Sequence, residues 1–213
     1  MEILSHRGCW KLQSEKNTFE AFDKSFSLGF GTETDIRDLD GELVISHDMP
    51  VKESTILTVK DFFSIYKKHN LDLPLALNIK SDGLQESLLK CLNEYQITNY
   101  FVFDMSVPDT LGYLRSEIAF FTRESEYEKK PSFYDEANGL WLDEFKSHWI
   151  DFSTLKTHAD CKKQICIVSP DLHKRPYHSE WEDYKRWDKQ LKESKIMLCT
   201  DYPEEAEKFF NED

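Results

Sequence analysis

The feature that most constrains this chain is a recurrence. Short apolar runs beginning at Ile3, Thr32, Leu75, Tyr100, Ile118, Leu140, Ile165 and Ile196 are separated mostly by stretches with helical spacing. Strands that alternate with helices are joined by crossovers, and crossovers build a parallel sheet with helices on its faces. Eight such units predict closure into an α/β TIM (β/α)8 barrel. Nearly every run ends on polar or charged residues: Ser5-His6-Arg7-Gly8 after the first, Asn78-Ile79-Lys80 in the third, Arg123-Glu124 after the fifth, Thr200-Asp201 after the last. Barrels carry their chemistry at the C-terminal ends of strands, so these endings are the candidate site. With 213 residues and 39% hydrophobic content the chain can build one substantial core, and residues 1–213 are read as a single domain.

The connecting segments carry ordinary helix signals. Asn17-Thr18 is a good N-cap, and Phe19, Phe22 and Phe26 at three- and four-residue spacing predict a helix with one apolar face. Further helices are predicted over Val59 to His69, Leu84 to Tyr95, Thr110 to Arg115, from Ser179 onward, and over Pro203 to Phe210. Pro170 to Arg175 opens the longest irregular stretch, which reads either as a substrate lid or as a solvated loop.

Charge and cysteine content narrow the function. A net charge of -13 repels nucleic acid and anionic membranes, which excludes them as general partners while leaving room for a local cationic pocket. Five cysteines without zinc-type spacing predict reduced thiols, and no signal peptide or membrane span is visible, so a cytoplasmic protein without a stable membrane anchor is expected.

The second run concentrates the acidic chemistry. Glu33 and Asp35 are two residues apart, a spacing that points both carboxylates to one face of a strand. Asp40-Gly41 is a hairpin signal, and the returning run Leu43 to Ile45 delivers His47 and Asp48. Paired hard oxygens with an imidazole nearby suit metal-assisted acid/base chemistry. Lys80 falls on the strand face of Asn78.

Taken together, His6-Arg7-Gly8, Asn17-Thr18, Glu33 with Asp35, His47-Asp48, Asn78-Ile79-Lys80 and Thr200-Asp201 resemble the glycerophosphodiester phosphodiesterase family along nearly the whole chain. The resemblance implies a TIM barrel and a small-molecule phosphodiester substrate, connected with lipid metabolism. It also implies one divalent cation, Mg2+ or Ca2+, held by Glu33, Asp35 and Asn78. His6 and His47 would be general acid and base, and Arg7 with Lys80 would bind the substrate phosphate. The chain departs from the family pattern at three places. Asn78 stands where a glutamate is usual, Lys16 stands where a glutamate precedes Asn-Thr, and only 30 residues separate His47 from Asn78, too few for the usual inserted subdomain. The first lowers the carboxylate charge on the cation from three to two, a loss that Asp104 or Asp143 could offset. Alternatives to hydrolysis are intramolecular transfer giving a cyclic phosphate, a non-catalytic or weakly active ligand-binding barrel, and a lyase or aldolase using Lys80 as a Schiff-base nucleophile.

Overall fold

The computed structural model describes residues 1–51, 56–69 and 72–211. The chain divides into two compact units, Ser5–Phe120 and Met1–Leu4 with Phe121–Asp213. The first strand, β1 (Glu2–His6), begins in the second of these and ends in the first.

The unit Ser5–Phe120 continues with α1 (Phe19–Ser27), β2 (Gly31–Leu39), β3 (Glu42–Ile45), α2 (Val59–Lys68), β4 (Leu75–Ile79), α3 (Gln85–Glu94), β5 (Tyr100–Phe103) and α4 (Val107–Arg115). β2, β4 and β5 are parallel neighbours, and their register sets Asp35 opposite Asn78. β3 returns antiparallel on β2 with Ile36 opposite Ile45. Its two-residue turn has Asp40 at φ 52° and Gly41 at φ 86°, the left-handed pair that matches the twist of a tight hairpin. α1 starts where expected, the Thr18 side chain accepting from the Ala21 amide. Its Phe22 and Phe26 are fully buried against α2, at 4.7 Å from Phe62 and 5.2 Å from Tyr66 between ring centroids. Phe19 corrects the apolar-face expectation. It lies in the first turn, and its ring stays 46% exposed.

The other unit contains β6 (Phe121–Ser125), β7 (Gly139–Asp143), α5 (Phe152–Asp160), β8 (Gln164–Val168), α6 (His178–Gln190), β9 (Ile196–Thr200) and α7 (Pro203–Asn211). β6, β7, β8 and β9 are consecutive parallel neighbours, and the central residues of β7, β8 and β9 are buried. β6 begins three residues later than the run at Ile118 suggests, because Ile118 and Phe120 are buried ahead of the strand. Arg123 and Glu124 therefore lie within β6 instead of beyond it. The Pro170 stretch is a short 3-10 turn, Pro170–His173, followed by α6.

Candidate active site

The unit Ser5–Phe120 gathers the sequence-derived residues at the strand ends. After His6 the backbone turns through Arg7 at φ 61° and Gly8 at φ 86°, tied to β2 by Arg7 N–H donating to Glu33 O at 2.9 Å. Gly8 is required there, since an added Cβ would lie 2.7 Å from Ala21 of α1. Asn17, also left-handed at φ 59°, donates its amide to Arg7 O at 3.0 Å.

These turns close around one carboxylate. Asp35 is fully buried; its Oδ2 lies 2.8 Å from Arg7 Nε and accepts from Asn17 Nδ2 at 3.1 Å. Asn17 Oδ1 in turn accepts from Thr34 Oγ1 at 3.0 Å, which fixes the amide's orientation. Lys80 Nζ stands 3.5 Å from the other oxygen, Asp35 Oδ1. Glu33 is also buried; its Oε1 accepts from Asn78 Nδ2 at 3.3 Å, and its Oε2 lies 3.8 Å from His6 Nε2.

Three oxygens of this group, Glu33 Oε2, Asp35 Oδ1 and Asn78 Oδ1, are buried without a hydrogen-bond donor. Buried acceptors without a donor are rare, because each forfeits its hydration, and here Lys80 and His6 offset that loss only as longer ion-pair contacts to Asp35 Oδ1 and Glu33 Oε2. Burial pushes the Glu33 carboxyl well above its usual range, the charge of Asp35 adds to this, and Arg7 and Lys80 oppose it. All three are hard oxygen donors of the kind a divalent cation takes, so the residue types present fit such an ion.

His47 arrives by another route. It follows β3 and is half-exposed, with Nδ1 2.8 Å from Asp48 Oδ1 and its carbonyl accepting from Arg37 Nε at 3.1 Å. It shares a cavity of about 780 Å3 with Arg7, Lys16, Asn17 and Phe19. Lys16 places its ammonium 4.2 Å from the centre of the Trp10 ring, whose Nε1–H donates to His6 O at 2.9 Å. The lysine thus packs on the residue that braces His6 from behind.

In the other unit, His173 Nε2 is 2.6 Å from Asp143 Oδ1 and its ring packs on Phe145 at 4.6 Å. A cluster that sequence reading missed lies nearby in the same unit. Glu144, His148 and Glu180 bring one ligand-type atom each to within 4.8 Å of one another. Their lone pairs are largely committed. Glu144 Oε1 accepts from the Trp149 and Ile150 amides at 2.8 and 2.7 Å, Oε2 from the Tyr184 hydroxyl, and Glu180 pairs with Arg175. His148 faces carboxylates on both ring nitrogens, Glu144 at 3.0 Å and Asp183 at 3.3 Å. The cluster reads as a clasp joining the loop after β7 to α6. Only the four-residue step from Glu144 to His148 hinted at it, and that step is a helical signal in a segment that is not helical.

No protein-family model and no curated protein sequence matches the chain. Solved structures do. A candidate glycerophosphodiester phosphodiesterase from Galdieria sulphuraria superposes with a TM-score of 0.75 at 17% identity, over 98% of this chain and 97% of that one. This chain has their fold. The glycerophosphodiester phosphodiesterase from Agrobacterium tumefaciens (TM-score 0.65, 12% identity, covering 95% and 96%) shares it. So does a phosphodiesterase from Oleispira antarctica in complex with the product sn-glycerol-3-phosphate (0.65, 14%, 98% and 96%). The expected α/β TIM-barrel class is therefore the class of this chain, and the glycerophosphodiester phosphodiesterase resemblance in its motifs is matched at the level of fold.

Proposed function

We propose that this chain is a phosphodiesterase hydrolysing a glycerophosphodiester or a related small phosphodiester with one divalent cation, Mg2+ or Ca2+. The observation that carries the reading is the set of three orphaned oxygens on Glu33, Asp35 and Asn78, beside the basic side chains of Arg7 and Lys80. Similarity in fold to named phosphodiesterases, one holding sn-glycerol-3-phosphate, supports it.

In this reading Glu33, Asp35 and Asn78 would hold the cation, which when bound would supply positive charge against the developing charge on the phosphate. Arg7 and Lys80 orient the phosphate from the Asp35 side. His6 and His47 divide the proton traffic, one accepting from the attacking water and the other donating to the departing alcohol. When His47 donates through Nδ1–H to Asp48, Nε2 is left as the proton-accepting atom. The site is expected to work on a small or lipid-derived ester in the cytoplasm.

A panel of phosphodiesters incubated with Mg2+, Ca2+ or Mn2+ against an EDTA control tests the reading, with products followed by phosphorus NMR in labelled water. An open monoester carrying the label, lost with EDTA, is the expected result. A cyclic ester without label would establish intramolecular transfer instead, and no turnover with any cation would leave a ligand-binding barrel.

A further inference from the structure

At the N-terminal ends of β8 and β9, the opposite end of these strands from Ser169 and Thr200-Asp201, lies a hollow of about 860 Å3. It forms where α5 hands the chain to β8 and α6 hands it to β9. Five lysines line it: Lys162, Lys163, Lys189, Lys192 and Lys195. Only two carboxylates do, Asp160 and Glu193, and Lys156 already donates to both oxygens of Asp160 at 2.8 Å. Two of the five ammonium groups are engaged. Lys163 Nζ donates to the carbonyls of Asp135 and Ala137 at 2.9 and 2.7 Å, and Lys195 Nζ stands 3.5 Å from Glu2 Oε2. Among the described residues, no acceptor or carboxylate meets the ammonium of Lys162, Lys189 or Lys192. Helix capping does not account for them. The last carbonyls are taken by backbone amides, Lys162 N–H donating to Ala159 O at 2.8 Å, Lys163 N–H to His158 O at 3.0 Å and Leu191 N–H to Trp187 O at 3.0 Å. The attraction of a helix C-terminus for cations fades beyond the last turn, and Lys162, Lys192 and Lys195 all follow their helix ends. Like charges gathered in one hollow repel one another, and folding gives the three unpaired ones nothing in return.

We infer that this hollow binds a small polyphosphorylated anion, one carrying a chain of two or three phosphates, through Lys162, Lys189 and Lys192. Lysine ammoniums are compact point charges that suit phosphate oxygens, and no arginine lines the hollow to favour the planar, two-point grip that selects carboxylates. The volume falls within the range of about 300–1,000 Å3 common to small-molecule sites. The net charge of the whole chain decides between a small anion and a large one. At -13 the remaining surface repels a nucleic acid or an anionic bilayer, whereas a compact anion lies within a screening length of about 8–10 Å and senses the lysines first. The inference is independent of the phosphodiesterase reading, since none of these lysines belongs to the set around Asp35.

Calorimetric titration of the full chain at low ionic strength, with EDTA present, tests this by comparing tripolyphosphate, ATP and inorganic phosphate. Tripolyphosphate is expected to bind roughly tenfold or more tightly than phosphate, because several lysines act on it at once. The double variant Lys189→Gln with Lys192→Gln should weaken that binding roughly tenfold or more, while Lys189→Arg with Lys192→Arg keeps the charge and should keep the affinity. Both positions are exposed, and circular dichroism on the same samples checks the fold. Lys162→Gln, on the α5 side, supplies the same comparison should the glutamine pair lose structure. ATP binding more tightly than tripolyphosphate supports the site and names a nucleotide as the source; equal affinities support it with the phosphate chain alone as the ligand. No binding of tripolyphosphate, binding that the glutamine variants leave unchanged, or phosphate bound as tightly as tripolyphosphate overturns the inference. Binding confined to an oligonucleotide or to phosphatidylglycerol vesicles also overturns it, in favour of an extended polyanion. No turnover is read, so failure here leaves the phosphodiesterase reading as it stands.

Discussion

Asp35 is the residue on which the rest of the candidate site leans. Arg7 and Asn17 hold one oxygen, Lys80 approaches the other, and both gripping residues sit on left-handed backbone that few side chains adopt cheaply. Asn17→Ala removes a neutral donor from a buried carboxylate without adding charge. It is expected to weaken divalent-cation affinity roughly tenfold, as is common when the residue orienting a ligand is lost, and titration calorimetry with Mn2+ would measure it. Asn78→Glu acts in the opposite direction by restoring a third carboxylate, and the same titration should show tighter binding. Unchanged affinity would mean that Asn78 serves Glu33 through its Nδ2 hydrogen bond and does not reach the ion. His6→Ala or His47→Ala should lower turnover by roughly 10²-fold or more with the fold retained, the usual cost of a lost proton-transfer partner. Circular dichroism and initial rates on the same samples would separate loss of chemistry from loss of structure.

Among the elements, the pairing of α1 with the end of β1 is the tightest tolerance. Gly8 combines a left-handed backbone with an approach to Ala21 that no Cβ can share. Gly8→Ala is expected to destabilise by roughly 2–4 kcal/mol, seen as a lower denaturant midpoint at unchanged slope. The strands and most helices were legible in the sequence because each announces itself locally, through a two- or four-residue period, a cap such as Thr18 or a turn such as Asp40-Gly41. The elements that were not legible lacked such a signal. α5 buries only Leu155 and His158 and so shows little amphipathic pattern. The start of β6 was misplaced because apolar residues report burial without reporting strand. The candidate site divides along the same line. Glu33, Asp35, His6 and His47 could be found by spacing and order. The Asn17 grip on Asp35 and the exposure of Phe19 depend on partners far along the chain, and periodicity does not reveal partners.

For the whole molecule, acidity sets the response to pH. Burial, together with the nearby Glu144, pushes the Glu180 carboxyl up to about 7, against an ordinary 4.5. The folded form therefore holds this proton more tightly than the unfolded chain, so this carboxyl's own contribution to stability falls as pH rises from about 4.5 to about 7 and then levels, opposite in sign to carboxyls that folding shifts down, such as Asp23 and Asp151. Glu180→Gln should flatten that part of the profile, bringing the thermal midpoints at pH 5 and pH 8 closer together. An unchanged profile would remove Glu180 as the source. The hairpin of β2 and β3 has a consequence in time. Closing Asp40-Gly41 sets Ile36 against Ile45 and lets Ser46 N–H donate to Asp35 O at 3.0 Å, so that Asp35 and the approach to His47 are joined by contacts about ten residues apart. Such loops close cheaply, and hairpins form in roughly 1–10 μs, whereas bringing β4 and Asn78 alongside β2 needs a crossover through α2. The His47 side of the candidate site is thus expected to assemble before Asn78 arrives, and Gly41→Val should slow refolding more than it speeds unfolding.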